Sequence, residues 1–121
     1  MTRTVRFSEL GEPDVLRVSD EPDPVPGPGE VAVDVAAIGL NRAESMFRRG
    51  TYIEETRLPA RLGYECSGTV AALGEGVTQW SVGDRVSVVP AFSMNDYGVY
   101  ADRAVVPARA VVPLPDTTSW V

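Results

Sequence analysis

Ten prolines in 121 residues leave little room for long regular elements. A proline has no backbone N–H for a sheet ladder and disrupts a helix interior, so each one ends or displaces an element. The densest group is Glu21-Pro22-Asp23-Pro24-Val25-Pro26-Gly27-Pro28-Gly29. It is too rich in proline for a sheet interior and suits an extended path over the surface. Between the breaks lie short runs of strand character. Thr2 to Phe7 and Val15 to Val18 flank a turn at Gly11-Glu12-Pro13-Asp14. Glu30 to Ile38 alternates, with Val31, Val33 and Val35 on one face and Ala32, Asp34 and Ala36 on the other, as a half-buried strand does. Glu65 to Leu73 is a small apolar strand ending at Gly74-Glu75-Gly76. Arg85 to Val89 runs from the turn Ser81-Val82-Gly83-Asp84 to Pro90. Gly98 to Val106 and Ala110 to Leu114 supply the last two strands, separated by Pro107. Many short strands with frequent turns predict an all-β barrel or sandwich. No internal repeat is visible.

One segment reads as a helix. Asn41-Arg42-Ala43-Glu44 has the form of a capping box, with Asn41 as N-cap and Glu44 reaching back from the third helical position. Met46 and Phe47 supply apolar contacts, and Gly50 ends the helix after Arg48 and Arg49, whose charges suit its C-terminus. Two to three turns are expected.

A formal net charge of −6 argues against nucleic acid and anionic membranes as partners, since both need a basic surface. No secretory apolar region or membrane span occurs, which predicts a soluble, cytoplasmic protein. The single cysteine excludes an intrachain disulfide framework and fits a reducing compartment. Cys66 lies in an apolar run with no histidine to activate it, so a buried structural thiol is expected.

The run Leu62-Gly63-Tyr64-Glu65-Cys66-Ser67-Gly68-Thr69-Val70 resembles the G-H-E-x-x-G stretch of medium-chain alcohol dehydrogenases, in which the histidine and an upstream cysteine hold a catalytic zinc. Here Tyr64 takes the histidine position, and Asn41 in Ile38-Gly39-Leu40-Asn41 takes that of the cysteine. The chain has no histidine at all. An amide and a phenol lack both usual zinc ligand types, so no metal is expected. Nor does the loop Ala91-Phe92-Ser93-Met94-Asn95-Asp96-Tyr97 carry the cysteines of the family's structural zinc lobe. Three further strings fall in the family's order: Gly11-Glu12-Pro13-Asp14-Val15-Leu16, Pro26-Gly27-Pro28-Gly29-Glu30-Val31 and Val82-Gly83-Asp84-Arg85-Val86. The resemblance is to the zinc-independent, quinone oxidoreductase-like branch.

That resemblance implies a mainly β fold, the GroES-like partly open β-barrel with one or two short helices, over residues 1–121. It implies that a Rossmann domain holding the cofactor belongs beyond Pro115-Asp116-Thr117-Thr118-Ser119-Trp120-Val121. Gly74-Glu75-Gly76 is no substitute, because Gln79 replaces the third glycine of G-x-G-x-x-G and no helix follows. The implied activity is NAD(P)H-dependent reduction of a small-molecule quinone or activated C=C bond by a homodimeric parent, with NADPH favoured as the group's usual cofactor. The isolated fragment is expected to be inactive. Two rivals are a co-chaperonin-like binding module of the same fold and an enoyl reductase region of a fatty-acid or polyketide synthase.

Without zinc, a reductase needs hydrogen-bond donors where charge develops on the carbonyl oxygen, and a proton source. Tyr52, in Arg49-Gly50-Thr51-Tyr52, resembles the G-x-Y tyrosine of zinc-free enoyl reductases, where it donates a proton or orients the carbonyl; rim packing is the alternative. Asn41 is either the helix cap or, by resemblance, an amide near the nicotinamide and substrate. Tyr64 is expected to fill the space the metal vacated and line the substrate pocket. Phe92, Met94 and Tyr97 either line a hydrophobic mouth or pack the loop onto the barrel. Glu65 is expected to pair with Arg42 or Arg61.

Overall fold

A computed structural model describes all residues, 1–121. Eight strands, one α-helix and two 3-10 turns follow the chain. The strands are β1 (Thr2–Phe7), β2 (Arg17–Glu21), β3 (Glu30–Ile38), β4 (Ala60–Arg61), β5 (Cys66–Leu73), β6 (Arg85–Val88), β7 (Arg103–Pro107) and β8 (Val111–Pro113). The helix α1 (Arg42–Arg49) joins β3 to the segment before β4. A three-stranded sheet has the order β2-β1-β4, and a five-stranded sheet the order β7-β3-β5-β6-β8, with every pairing antiparallel. The two sheets do not close, so the fold is mainly β and a partly open barrel.

Local pattern accounts for most of this. In β3, Val31 and Val33 bury completely, while Val35 packs at the margin of the same core. Ala32 is also fully buried, against the expected two-faced alternation. A register shift between Ala32 and Val33 against β5 interrupts the regular pleat there. Gly68 on β5 lies directly against the Asp34 backbone of β3, a separation a side chain would not permit.

Three expected boundaries shift. Val15 to Val18 is not one strand: Pro13–Val15 forms a 3-10 turn, with proline well placed in its first positions, and the strand begins at Arg17. The strand expected from Gly98 begins only at Arg103. Before it, Tyr100 N–H donates to Leu62 O and Val5 N–H donates to Tyr100 O, so this stretch crosses between the sheets. The strand expected from Ala110 starts at Val111, after a 3-10 turn. The two-residue strand β4 carries too little pattern to be read from sequence.

The helix ends as expected, with Gly50 at φ 78° in the left-handed region and its N–H returned to the last turn. Its start differs. Asn41 sits at the N-cap, but its side chain makes no capping hydrogen bond. Glu44, Phe47 and Arg48 form the buried face, a 3-4 spacing that turns Met46 outward.

Two hydrophobic cores result. The larger gathers Val31, Val33, Val70, Val86, Val88 and Val106 inside the five-stranded sheet. The smaller joins Phe7, Phe47, Ala60, Leu62, Tyr64 and Met94, and it supports the candidate site.

Candidate functional site

An aromatic row crosses the smaller core. Phe7, Phe47, Tyr52, Tyr64, Phe92 and Tyr97 follow one another at ring-centroid separations of 5.6 to 6.4 Å, mostly edge to face. This is the favourable geometry for opposed ring quadrupoles. Near its middle, the Tyr52 and Tyr64 hydroxyl oxygens stand 3.0 Å apart in a hydrogen bond. Tyr64 is 8% exposed, and Tyr52 is half-buried.

The segment bearing Tyr52 is tied down on both sides. The Thr56 hydroxyl donates to Phe47 O at 2.6 Å, closing the segment back on α1. Ser93 Oγ donates to Glu54 Oε2 at 2.6 Å, and Asn95 Nδ2 donates to Glu55 O at 2.9 Å. The loop carrying Phe92 therefore holds the loop carrying Tyr52. Met94, 1% exposed, anchors it in the core rather than lining a mouth. Tyr97 Oη donates to Glu30 Oε2 at 2.6 Å.

A second polar set adjoins the first. Glu44 is 4% exposed, and its Oε1 accepts from Tyr100 Oη at 3.3 Å and from Asn41 Nδ2 at 3.5 Å. Its Oε2 is buried without a partner. Burial above all, together with the Tyr52 bond and the negative charges of Glu54 and Glu44, pushes the Tyr64 phenol above its ordinary value. Burial and Glu44 act likewise on Tyr100. Both remain neutral phenols at neutral pH, able to donate. Cys66, buried at the start of β5, is pushed up to about 12 by burial and by Glu65.

The structure thus brings together Tyr52, Tyr64 and Phe92, and places exposed Asn41 in the neighbouring set. Tyr64 and Phe92 line neither of the two main clefts. The larger, about 340 Å³, is bounded by Ile38, Gly39, Glu65, Ser67, Val89 and Trp120 among others. The other, about 240 Å³, lies beside Arg3, Val5, Val18 and Tyr100. Tyr64 is instead sealed between Tyr52 and Phe92. Glu65 pairs with neither Arg42 nor Arg61; its side chain covers Gly39, while Arg61 donates to Asp96 O. Tyr100 and the burial of Glu44 escaped sequence reasoning, because their contact spans 56 positions.

The larger cleft holds a carboxylate, serine hydroxyls and a thiol but no basic side chain. Such a lining fits a neutral ring with a carboxamide. It does not fit a pyrophosphate, which needs cations or a cradle of backbone N–H groups. No group of three or more histidine, cysteine, aspartate or glutamate side chains converges anywhere in the chain.

Fold and sequence together place the chain in a family. The profile of the alcohol dehydrogenase GroES-like domain matches residues 27–116, and the chain belongs to that family, as a quinone oxidoreductase-like N-terminal domain of the medium-chain reductases. It is 39% identical over 116 residues to a quinone oxidoreductase of Pseudomonas aeruginosa, covering 96% of this chain and 34% of that protein. The structure of a Pseudomonas syringae quinone oxidoreductase superposes with a TM-score of 0.88 at 38% identity, over 99% of this chain and 35% of that one. A mycobacterial protein complexed with NADPH does so with a TM-score of 0.86 at 38% identity, over 99% of this chain and 34% of that one. The chain spans about a third of the length of the curated relatives it matches. These likenesses do not favour a co-chaperonin-like module or a synthase enoyl reductase region.

Proposed function

We infer that this chain is the substrate-side domain of a zinc-independent NAD(P)H-dependent oxidoreductase that reduces a quinone or an activated C=C bond. The observation that carries the reading is the pair of phenols, Tyr52 and Tyr64, hydrogen-bonded to each other at 3.0 Å on a rigid aromatic support. NADPH is favoured over NADH because the related mycobacterial structure contains it. The larger cleft, with Glu65 and without lysine or arginine, suits the nicotinamide end of the cofactor rather than its phosphates. A homodimeric, cytoplasmic parent completes the reading, on family resemblance.

When bound, the reduced nicotinamide supplies hydride to the substrate carbon. The protein's own groups then handle the charge left on oxygen. Tyr52, half-buried and braced by Phe47 and Tyr64, donates a hydrogen bond to the developing oxyanion and passes its proton there. Asn41 presents its amide beside the helix start, with Nδ2 toward Glu44 and Oδ1 left to accept from a bound ligand. The aromatic row excludes water from one side of the phenol pair, which strengthens these bonds.

The test is Tyr52→Phe in the protein that carries this chain, assayed for NADPH-dependent quinone reduction. Loss of one transition-state donor lowers turnover by about a hundred- to a thousand-fold with KM little changed. A fall of less than about threefold would return Tyr52 to rim packing.

A further inference from the structure

Either hydroxyl of the phenol pair could donate, and burial separates the two choices. A hydroxyl carries one hydrogen, so only one of the two can donate to the other. Tyr64 is 8% exposed, and its hydroxyl has no other partner. Were Tyr52 the donor, the Tyr64 hydrogen would lie without an acceptor on the more buried of the two residues, at part of the cost of an unsatisfied group. With Tyr64 as donor, the spare hydrogen belongs to Tyr52, the less buried of the two residues. We propose that Tyr64 is a positioning residue: it donates to the Tyr52 oxygen and thereby aims the Tyr52 O–H at a substrate oxygen.

The groups facing Tyr64 agree with this direction. Glu44 on α1 and Glu54 on the following loop both place negative charge near it, and together with burial they hold its proton in place. Tyr64 therefore keeps its hydrogen at neutral pH. In the reaction, the Tyr52 O–H bond breaks and a new O–H bond forms on the substrate oxygen. The resulting Tyr52 phenolate accepts the Tyr64 hydrogen bond, and water returns a proton to Tyr52 after product leaves. This rests on the reading of Tyr52 as the proton donor given above.

The test has two arms. In this chain, labelled with carbon-13 at the tyrosine ζ position and dissolved in equal H₂O and D₂O, a buried, slowly exchanging hydroxyl gives two resolved lines. Tyr64 is expected to be split and Tyr52 averaged to one line; Tyr64→Phe should then shift the Tyr52 resonance. Splitting of Tyr52 alone, or a Tyr52 resonance unmoved by Tyr64→Phe, would overturn the assignment. In the NADPH-dependent protein, Tyr64→Phe should lower kcat about tenfold at constant KM, as for loss of one hydrogen bond. Adding it to Tyr52→Phe should cost nothing more. Multiplicative losses in the double variant would overturn the coupling while leaving Tyr52's role intact. If Tyr52→Phe itself is harmless, the functional reading fails, and the spectroscopic arm still decides the bond's direction.

Discussion

Phe47 links the stability of the smaller core to the placement of Tyr52, and Phe47→Ala measures that link. The side chain is completely buried and meets Phe7 at 6.2 Å and Tyr52 at 6.4 Å, both edge to face. Truncating a buried phenylalanine costs about 3 to 5 kcal/mol, through lost transfer free energy and the cavity left behind. The rings of Phe7 and Tyr52 are held by β1 and by the Thr56 clamp, so the cavity cannot readily collapse, and about 4 kcal/mol is expected. A chain of 121 residues has an unfolding entropy of about 0.25 kcal/mol/K near its midpoint, so this corresponds to a fall in Tm of about 16 °C. Phe47→Leu keeps most of the volume and should cost less than about 1.5 kcal/mol, or about 6 °C. Differential scanning calorimetry on the three proteins, with chemical denaturation as a second measure, gives both numbers. A loss of less than about 4 °C for Phe47→Ala would show that the aromatic row is not a packed core, and with it the rigid support for Tyr52 would go.

Three further outcomes follow from particular contacts. Asn41→Ala should change stability by less than about 0.5 kcal/mol, below the usual cost of losing an N-cap, because the Asn41 side chain makes no capping bond; a loss of about 1 kcal/mol or more in urea unfolding would contradict this. Glu21, paired with Arg6 through bonds of 2.6 and 2.7 Å, is lowered to about 2, chiefly by the Arg6 hydrogen bonds. Its folded value lies below its unfolded one, so its stabilisation is present above the ordinary glutamate range and is lost as pH falls toward about 2; Tm measured across that window should be flatter in Glu21→Gln. Cys66, buried and held up at about 12, should resist a thiol reagent at pH 8 in the folded chain and react at once in denaturant.

Whatever depends on near neighbours could be read from the residues alone. Proline and glycine placement set most strand limits, the alternation of Val31, Val33 and Val35 marked a core face, and Gly50 with its left-handed φ ended the helix where expected. Cys66 was legible as a buried thiol from the apolar run it begins, although its pairing partners Ile38 and Val88 lie on other strands. The partners of helix α1 were not. Asn41-Arg42-Ala43-Glu44 spells a capping box, yet Glu44 turns inward to Tyr100, because the fold brings a donor from 56 positions away into its reach. The start of β7 moved for a related reason, since Gly98 to Ala101 spends its backbone bonds on β1 and Leu62 rather than on one ladder. Tyr52 and Tyr64 could each be singled out by resemblance, but their hydroxyl contact could not. It exists because α1 and the loop around Phe92 press two separate segments together, and only tertiary packing fixes a distance of 3.0 Å between side chains that the chain's local geometry leaves free.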